Sequence, residues 1–292
     1  MSNSKINDDP RIDPRIKALL GAMALPTPKS VSSREELLEQ ANSEESKATL
    51  AALKGFLELC DNENIAPSAG LTITTREFTS EPDGNIVKLQ LIQPDSTDPL
   101  PCVYYIHGGG MQAMSCYDGN YRAWGKILAA QGVSVAMVDF RNSIVPSSTP
   151  EVGPYPAGLD DCISGLKWVS ANAAELNIDP KRIIVSGESG GGNLTLATGL
   201  RLKREGQLDL IQGLYALCPY IAGSWPLDEN PSSIENNGIL LDLHNNIGAM
   251  SYGIEEFEKR NPLAWPGFAT GDDVRGLPPT MISVNECDPL RD

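Results

Sequence analysis

The chain has 292 residues, 41% of them hydrophobic, enough for one large α/β domain or two smaller domains with a sizeable core. Its 38 acidic side chains against 23 basic ones give a formal charge of -15, which repels nucleic acid and anionic membranes. With two histidines far apart in sequence and no C-x-x-C motif, the chain offers no compact metal cluster, so we predict no metal site.

The termini and cysteines indicate the cellular setting. The N-terminus has no apolar signal region, and no apolar run is long enough to cross a bilayer, so we expect a cytoplasmic protein without a membrane partner. Cys102, Cys162 and Cys218 lie in apolar segments, so buried thiols are expected rather than a disulfide framework. A homo-oligomer is compatible with this sequence.

Residues 1–70 are polar and show helical patterns near 13–20, 32–40 and 47–54. Ser32 with Glu35 three residues later predicts a capping box at the start of the second helix. Such helices would form either a lid or an N-terminal decoration.

Two segments that follow, 71–78 and 85–92, alternate apolar with polar residues. The sequence Glu81-Pro82-Asp83-Gly84 between them supplies turn residues. This pattern predicts an antiparallel hairpin.

From Cys102 onward, apolar strand patterns alternate with helical ones. Buried strands are predicted at 102–106, 133–138, 182–186, 213–218 and 280–285, and helices at 120–131 and 158–174. The alternation predicts a mostly parallel sheet with helices on both faces. Residues 220–276 interrupt it and are too long for a loop, so we interpret them as an insertion with structure of its own.

A glycine-rich turn follows the strand predicted at 182–186. Gly187-Glu188-Ser189-Gly190-Gly191 separates that strand from a helical pattern at 193–203, as in the G-x-S-x-G elbow, where small residues let strand and helix approach. The N–H groups at the helix start would face developing negative charge. We predict Ser189 as a nucleophile, and the alternative is a plain turn. Glu188 is expected to order the elbow through hydrogen bonds.

A second glycine motif, His107-Gly108-Gly109-Gly110, directly follows the strand at 102–106. Its unobstructed N–H groups suit an oxyanion in acyl transfer. A phosphate-binding loop is the alternative, but no G-x-G-x-x-G or G-x-x-x-x-G-K-[ST] pattern occurs. His107 is expected to fix the loop by hydrogen bonds.

These two motifs together resemble the hormone-sensitive-lipase family of α/β-hydrolases. Short segments at 154–161, 178–182, 261–263 and 277–280 also resemble those of the family, so the likeness extends from about residue 70 to the end. The resemblance implies an α/β-hydrolase fold and a serine carboxylesterase that needs no cofactor. It also implies that the oxyanion donors are the backbone N–H groups of Gly109, Gly110 and Gly190.

The same resemblance implies a division of the chain into a catalytic core and a helical cap. The cap would consist of its N-terminal helical part, residues 1–70, and the insertion 220–276. The core would consist of residues 71–219 and 277–292.

The acid of a catalytic triad should follow the serine in chain order. Asp288 lies just past the strand predicted at 280–285, where the resemblance places the acid, and Glu286 is its nearest competitor. A buried acid there would hold a histidine in the correct tautomer. Asp288 is our prediction.

The histidine itself is expected after the acid, but none lies between Asp288 and Asp292. His244 precedes the acid and lies in the insertion. The strand at 280–285 would also expose an apolar edge. We therefore predict that the natural protein continues past residue 292 with a strand, a helix and the histidine.

The leading hypothesis is hydrolysis of small, short-acyl carboxylic esters through an acyl-enzyme. The same groups would serve an amidase or a lactonase. A different class, favoured by the absent histidine, is a non-catalytic receptor for small molecules or an inactive fragment. Labelling of Ser189 by a fluorophosphonate would separate these hypotheses.

Overall fold

The computed structural model describes residues 4–21, 29–224, 228–239, 241 and 245–292. The N-terminal region contains helices α1 (Ser4–Asp8), α2 (Pro14–Leu20), α3 (Arg34–Ala41) and α4 (Glu44–Glu58). The helical patterns predicted for this region are confirmed.

The start of α3 differs from the prediction by one residue. Ser33, not Ser32, caps the helix, since its side chain accepts the N–H of Glu36. The Glu36 carboxylate reaches back to Ser32 and accepts both its N–H and its hydroxyl at 2.8 Å. The predicted Ser32–Glu35 capping box is therefore wrong, because Glu36 rather than Glu35 is the glutamate that bonds the preceding residues.

The centre of the fold is a seven-stranded sheet in the order β1-β2-β4-β3-β5-β6-β7. The strands are β1 (Leu71–Thr79), β2 (Ile86–Pro94), β3 (Leu100–Ile106), β4 (Ser134–Val138), β5 (Ile178–Glu188), β6 (Gly213–Leu217) and β7 (Thr280–Ser283). The pairs β1–β2 and β2–β4 are antiparallel, and the other four pairs are parallel. Both the predicted hairpin and the mostly parallel sheet are confirmed.

Helices cover both faces of this sheet. On one face α6 (Ala157–Ala171) and α7 (Gly190–Glu205) place Leu166 and Leu194 in the main apolar core. On the other face α5 (Gly119–Ala129) contributes Tyr121 to a second core with Tyr105 and Met137. Apolar strands thus lie between two helical layers, as buried parallel strands require.

The described part of residues 220–276 contains short helices, α8 (Pro231–Glu235), α9 (Ile247–Tyr252), α10 (Ile254–Glu258) and α11 (Gly271–Val274). The Asn246 side chain pairs with the backbone of Val31, accepting its N–H at 2.9 Å and donating to its carbonyl at 2.8 Å. Leu37 of α3 and Ile247 pack in one apolar cluster. The N-terminal region therefore contacts the insertion, as a shared cap requires. The division into cap and core stays a prediction.

Strand β7 lies at one edge of the described sheet and pairs with β6 alone. The side chains of Met281, Ile282 and Val284 are exposed there, as predicted for this edge. Among the described helices, none combines the length and the apolar character needed to span a bilayer.

The six cysteines are free thiols. Cys102 and Cys162 are buried as predicted, whereas Cys218 is only half-buried. Cys218 directly follows β6.

Candidate active site

Ser189 lies on the turn between β5, which ends at Glu188, and α7, which begins at Gly190. Its backbone angles, φ 51° and ψ −116°, are strained for a residue with a side chain. The Ser189 N–H donates to the Leu217 carbonyl at 2.9 Å, and its carbonyl accepts the N–H of Asn193 at 3.0 Å. Neighbouring elements on both sides thus hold the strained conformation in place.

The glycines flanking Ser189 are required by close backbone contacts. A Cβ on Gly187 would lie 2.5 Å from the carbonyl oxygen of Gly191. A Cβ on Gly191 would lie 2.0 Å from the Ile106 carbonyl oxygen in β3. Helix α7 therefore starts against the backbone of two strands, which no larger residue permits.

The glycine loop after β3 lies beside this elbow. Ile106 pairs with Gly187 in the parallel ladder between β3 and β5, so the residues that follow each strand are neighbours. Gly109 and Gly110 have φ values of 97° and 65°, in the region that favours glycine. A Cβ on Gly190 would lie 2.8 Å from the Gly110 nitrogen. The predicted oxyanion donors are thus close together.

Ser189, Gly109 and Gly110 line one cavity of about 550 Å³. Its other walls combine apolar and polar side chains, namely Gln112, Ala113, Glu188, Tyr220, Leu241, Asn245, Ile247 and Leu290, together with Gly248. Cavities of this size and composition are typical of small-molecule sites.

His107 is fully buried and stacks on the Phe140 ring, with 4.3 Å between ring centroids. Its Nδ1 donates to the Gly108 carbonyl at 2.9 Å, and its Nε2 lies 3.7 Å from an oxygen of Asp139. Burial lowers the pKa of His107, although the Asp139 charge opposes this effect. The predicted contact with the glycine loop is confirmed.

Asp139 supports the segment after the glycine loop, a role that the sequence analysis missed. This fully buried carboxylate accepts the Ser115 hydroxyl at 2.7 Å, the Cys116 N–H at 2.9 Å and the Ser148 N–H at 2.7 Å. It fixes the segment after the glycine loop. Its only signal in the sequence was its position directly after a buried strand.

Asp288, the predicted acid, is 7% exposed, whereas Glu286 is exposed. The Leu290 N–H donates to a carboxylate oxygen of Asp288 at 2.8 Å. Burial raises the pKa of Asp288, and the Leu290 hydrogen bond partly offsets this. The Asn236 amide donates to the Asp288 carbonyl at 3.1 Å and so ties this turn to α8.

Cys218 directly follows Leu217, whose carbonyl accepts the Ser189 N–H, and so lies next to the elbow. Burial, followed by the charges of Asp288 and Glu188, raises the pKa of its thiol to about 11. Its φ of 32° is strained, and its N–H donates to the Ser283 carbonyl in β7 at 2.6 Å. Leu290, whose N–H donates to the Asp288 carboxylate, lines the same cavity as Ser189, so the acid turn lies beside the elbow.

The predicted triad has no histidine among the described residues. His244 lies outside them. His107, which is described, is enclosed by Phe140 and by Tyr121, whose ring centroid is 5.6 Å away. Its Nδ1 is already hydrogen-bonded to the Gly108 carbonyl of the glycine loop.

A serine on a strand-to-helix elbow, beside a glycine loop from the neighbouring parallel strand, is how α/β-hydrolases present their nucleophile. The chain belongs to the α/β-hydrolase fold family, whose model matches residues 103–292. Within that family, the resemblance to hormone-sensitive-lipase-like carboxylesterases is confirmed by three comparisons.

One relative is carboxylesterase NlhH of Mycobacterium tuberculosis, 35% identical over 204 residues that cover 68% of this chain and 60% of NlhH. The chain thus spans less than two thirds of the length of this relative. A structure of esterase Est22 with p-nitrophenol is 71% identical, with a TM-score of 0.96, covering 98% of this chain and 84% of Est22. Brefeldin A esterase, a bacterial homologue of human hormone-sensitive lipase, is 33% identical, with a TM-score of 0.82 and coverages of 98% and 80%.

Proposed function

We propose that this protein is a serine carboxylesterase that hydrolyses small, short-acyl esters through an acyl-enzyme. One observation carries the proposal: Ser189 occupies a strained elbow in the wall of a cavity that Gly109 and Gly110 also line. The relatives named carboxylesterase and esterase support the same reaction.

In the proposed reaction the Ser189 hydroxyl oxygen attacks the ester carbonyl carbon, and a histidine takes the hydroxyl proton. The carbonyl oxygen becomes an oxyanion that accepts the N–H groups of Gly109, Gly110 and Gly190. The bond to the alcohol oxygen then breaks, the alcohol leaves with the proton, and the acyl group stays on Ser189. A water molecule then attacks the acyl carbon in the same way, the bond to the Ser189 oxygen breaks, and the carboxylic acid product leaves.

Asp288 is proposed to orient that histidine and to stabilise its charged form. Its burial, and its hydrogen bond with Leu290 in the wall of the Ser189 cavity, support this role over Glu286. The histidine is proposed to lie outside the described residues, where His244 is the candidate that this sequence contains. A cytoplasmic location also stays a prediction.

The short-acyl preference is supported by the dimensions and chemistry of the cavity. Its volume of about 550 Å³ suits a small ester. Leu241, Ile247 and Leu290 offer apolar contacts, and Gln112 and Asn245 offer polar ones. Because Est22 has been crystallised with p-nitrophenol, p-nitrophenyl esters are suitable first substrates.

The test uses the protein from its native source alongside the 292-residue chain. Each is assayed with p-nitrophenyl acetate, butyrate and decanoate, and each is treated with a fluorophosphonate. We expect the native protein to favour the short esters, and Ser189→Ala to lower kcat by at least about 10⁴-fold and to abolish labelling. Ester turnover that Ser189→Ala leaves intact would refute the proposal. Saturable ester binding without labelling or turnover would favour the receptor.

A further inference from the structure

The Tyr121 hydroxyl lies between the elbow and the glycine loop. It donates to the Glu188 Oε1 at 2.7 Å and accepts the Gly108 N–H at 3.0 Å. Glu188 directly precedes Ser189, and Gly108 begins the glycine triplet. One side chain from α5 thus connects the two parts of the candidate site.

The direction of both hydrogen bonds is fixed by protonation. Burial, followed by the negative charge of Glu188, raises the pKa of Tyr121 well above its ordinary value, so the phenol stays neutral. The Tyr121 hydroxyl therefore donates its single hydrogen in a hydrogen bond to the Glu188 carboxylate. A lone pair on the hydroxyl oxygen remains to accept the Gly108 N–H. The carboxylate therefore orients the acceptor that holds the glycine loop.

The loop conformation depends on such an anchor. Gly109 and Gly110 adopt left-handed φ values, and glycine loses more conformational freedom on ordering than any other residue. A Cβ on Gly108 would lie 2.7 Å from the Glu188 carboxylate and 2.8 Å from the Tyr121 hydroxyl oxygen. The loop is therefore packed directly on this pair.

Farther along, the Ala113 N–H donates to the Gly109 carbonyl at 3.2 Å. That bond closes the loop on itself, whereas the Tyr121 bond ties it to the elbow. Preorganised donors are worth most when they need no rearrangement during reaction.

We propose that Tyr121 and Glu188 are positioning residues that tie the glycine loop to the elbow and so preorganise the oxyanion donors. The catalytic part of this inference rests on the proposed esterase function. Glu188 acts through Tyr121, as a hydrogen-bond acceptor, and takes no proton from substrate.

The chain offers substitutions that separate the hydrogen bonds from packing. Tyr121→Phe keeps the ring against His107 and Tyr105 and removes only the hydroxyl. Glu188→Gln keeps a carbonyl acceptor for Tyr121, and Glu188→Ala removes it. Tyr117→Phe is the matched control, since that hydroxyl bonds Thr75 at 3.2 Å, away from the loop.

The experiment measures kcat and KM for p-nitrophenyl butyrate, and hydrogen exchange of the peptide covering residues 107–114, in the native-length protein. We expect Tyr121→Phe and Glu188→Ala to lower kcat about tenfold and to speed exchange, with KM changed less than about twofold. Tyr117→Phe should resemble the unmodified protein, and Glu188→Gln should lower kcat less than Glu188→Ala does, because its amide oxygen still accepts the Tyr121 hydroxyl. The double variant Tyr121→Phe/Glu188→Ala should be no worse than either single variant, because both break one connection.

Unchanged kcat and exchange in Tyr121→Phe would overturn the inference. So would equal damage from Glu188→Gln and Glu188→Ala, since charge rather than an acceptor would then matter. If the unmodified protein hydrolyses no ester, the esterase proposal fails and exchange alone decides the anchoring. Faster exchange in Tyr121→Phe would uphold it, and unchanged exchange would overturn it.

Discussion

The nucleophile elbow and the acid turn of the candidate site have different surroundings. Ser189 follows β5, which pairs with β3 on one side and β6 on the other. Asp288 follows β7, a strand of four residues at the edge of the described sheet, paired with β6 alone. Backbone contacts with β6, α7 and the glycine loop hold the elbow, whereas the Asn236 side chain helps to hold the acid turn.

This difference shows that backbone contacts hold one part of the site, whereas side-chain contacts help to hold the other. At the sheet centre, backbone approaches backbone so closely that only glycine fits at Gly187 and Gly191. At the edge, the side chains of Met281 and Ile282 are exposed on a strand with one partner, so their replacement meets fewer neighbours. Substitutions at the sheet centre and at the edge should therefore differ in their effects on the activity and the stability of the protein.

The largest expected effect separates the two candidate acids. Asp288→Asn keeps an oxygen for the Leu290 N–H but cannot stabilise a charged histidine, so kcat should fall about 10³-fold in the native-length protein. Glu286→Gln, on an exposed side chain, should leave kcat within about twofold. Steady-state kinetics with p-nitrophenyl butyrate checks both variants. The reverse pattern would assign the acid to Glu286.

The next effect concerns the packing of the elbow. Gly191→Ala would place a methyl group 2.0 Å from the Ile106 carbonyl oxygen, and we expect a loss of about 3 kcal/mol or more in the free energy of unfolding. Gly55→Ala is the matched control, because that position in α4 has open space and alanine favours helix. It should be neutral or slightly stabilising in urea unfolding. Equal stability of the two variants would contradict the close packing.

A third pair of substitutions compares a central strand with the edge strand. Ile183 in β5 is 0% exposed and Ile282 in β7 is 52% exposed. Ile183→Ala should lower the free energy of unfolding by about 2 to 5 kcal/mol, and Ile282→Ala by about 0.5 kcal/mol or less. Urea unfolding of the 292-residue chain measures both. A cost above about 2 kcal/mol for Ile282→Ala would mean that another surface covers this edge in solution.

The smallest effect is a gain in stability. Burial raises the pKa of Asp288, so holding its charge in the folded state costs free energy at neutral pH. Asp288→Asn should therefore raise the thermal midpoint at pH 7. The gain should shrink as the pH falls, and it should vanish below the ordinary aspartate pKa of 3.8, where both folded and unfolded states are protonated. A gain that is independent of pH would argue against this explanation.

Much of the fold was predictable because its signals are local. Alternating residues identified the hairpin of β1 and β2, and short apolar runs identified the central strands. The register of the capping box was not predictable, since Ser32 and Ser33 are both followed by a glutamate three residues later. Only the packing of α3 decided between them.

Part of the candidate site was also predictable. Ser189 and its flanking glycines form a local motif, and the elbow occurs where that motif predicts it. Tyr121, Asp139 and Cys218 carried no such signal. Each contributes through a partner that is distant in sequence, which neither spacing nor composition reveals.

The sequence by itself determined the local conformations, because glycine positions and apolar periodicity act within a few residues. It determined the strand–elbow–helix around Ser189 and the glycine loop that follows β3. Only the tertiary structure decided which side chains meet across them. The Tyr121 hydroxyl reaches both Glu188 and Gly108 because parallel pairing of β3 with β5 brings the ends of these strands together. That contact depends on sheet order and register, which are properties of the whole chain.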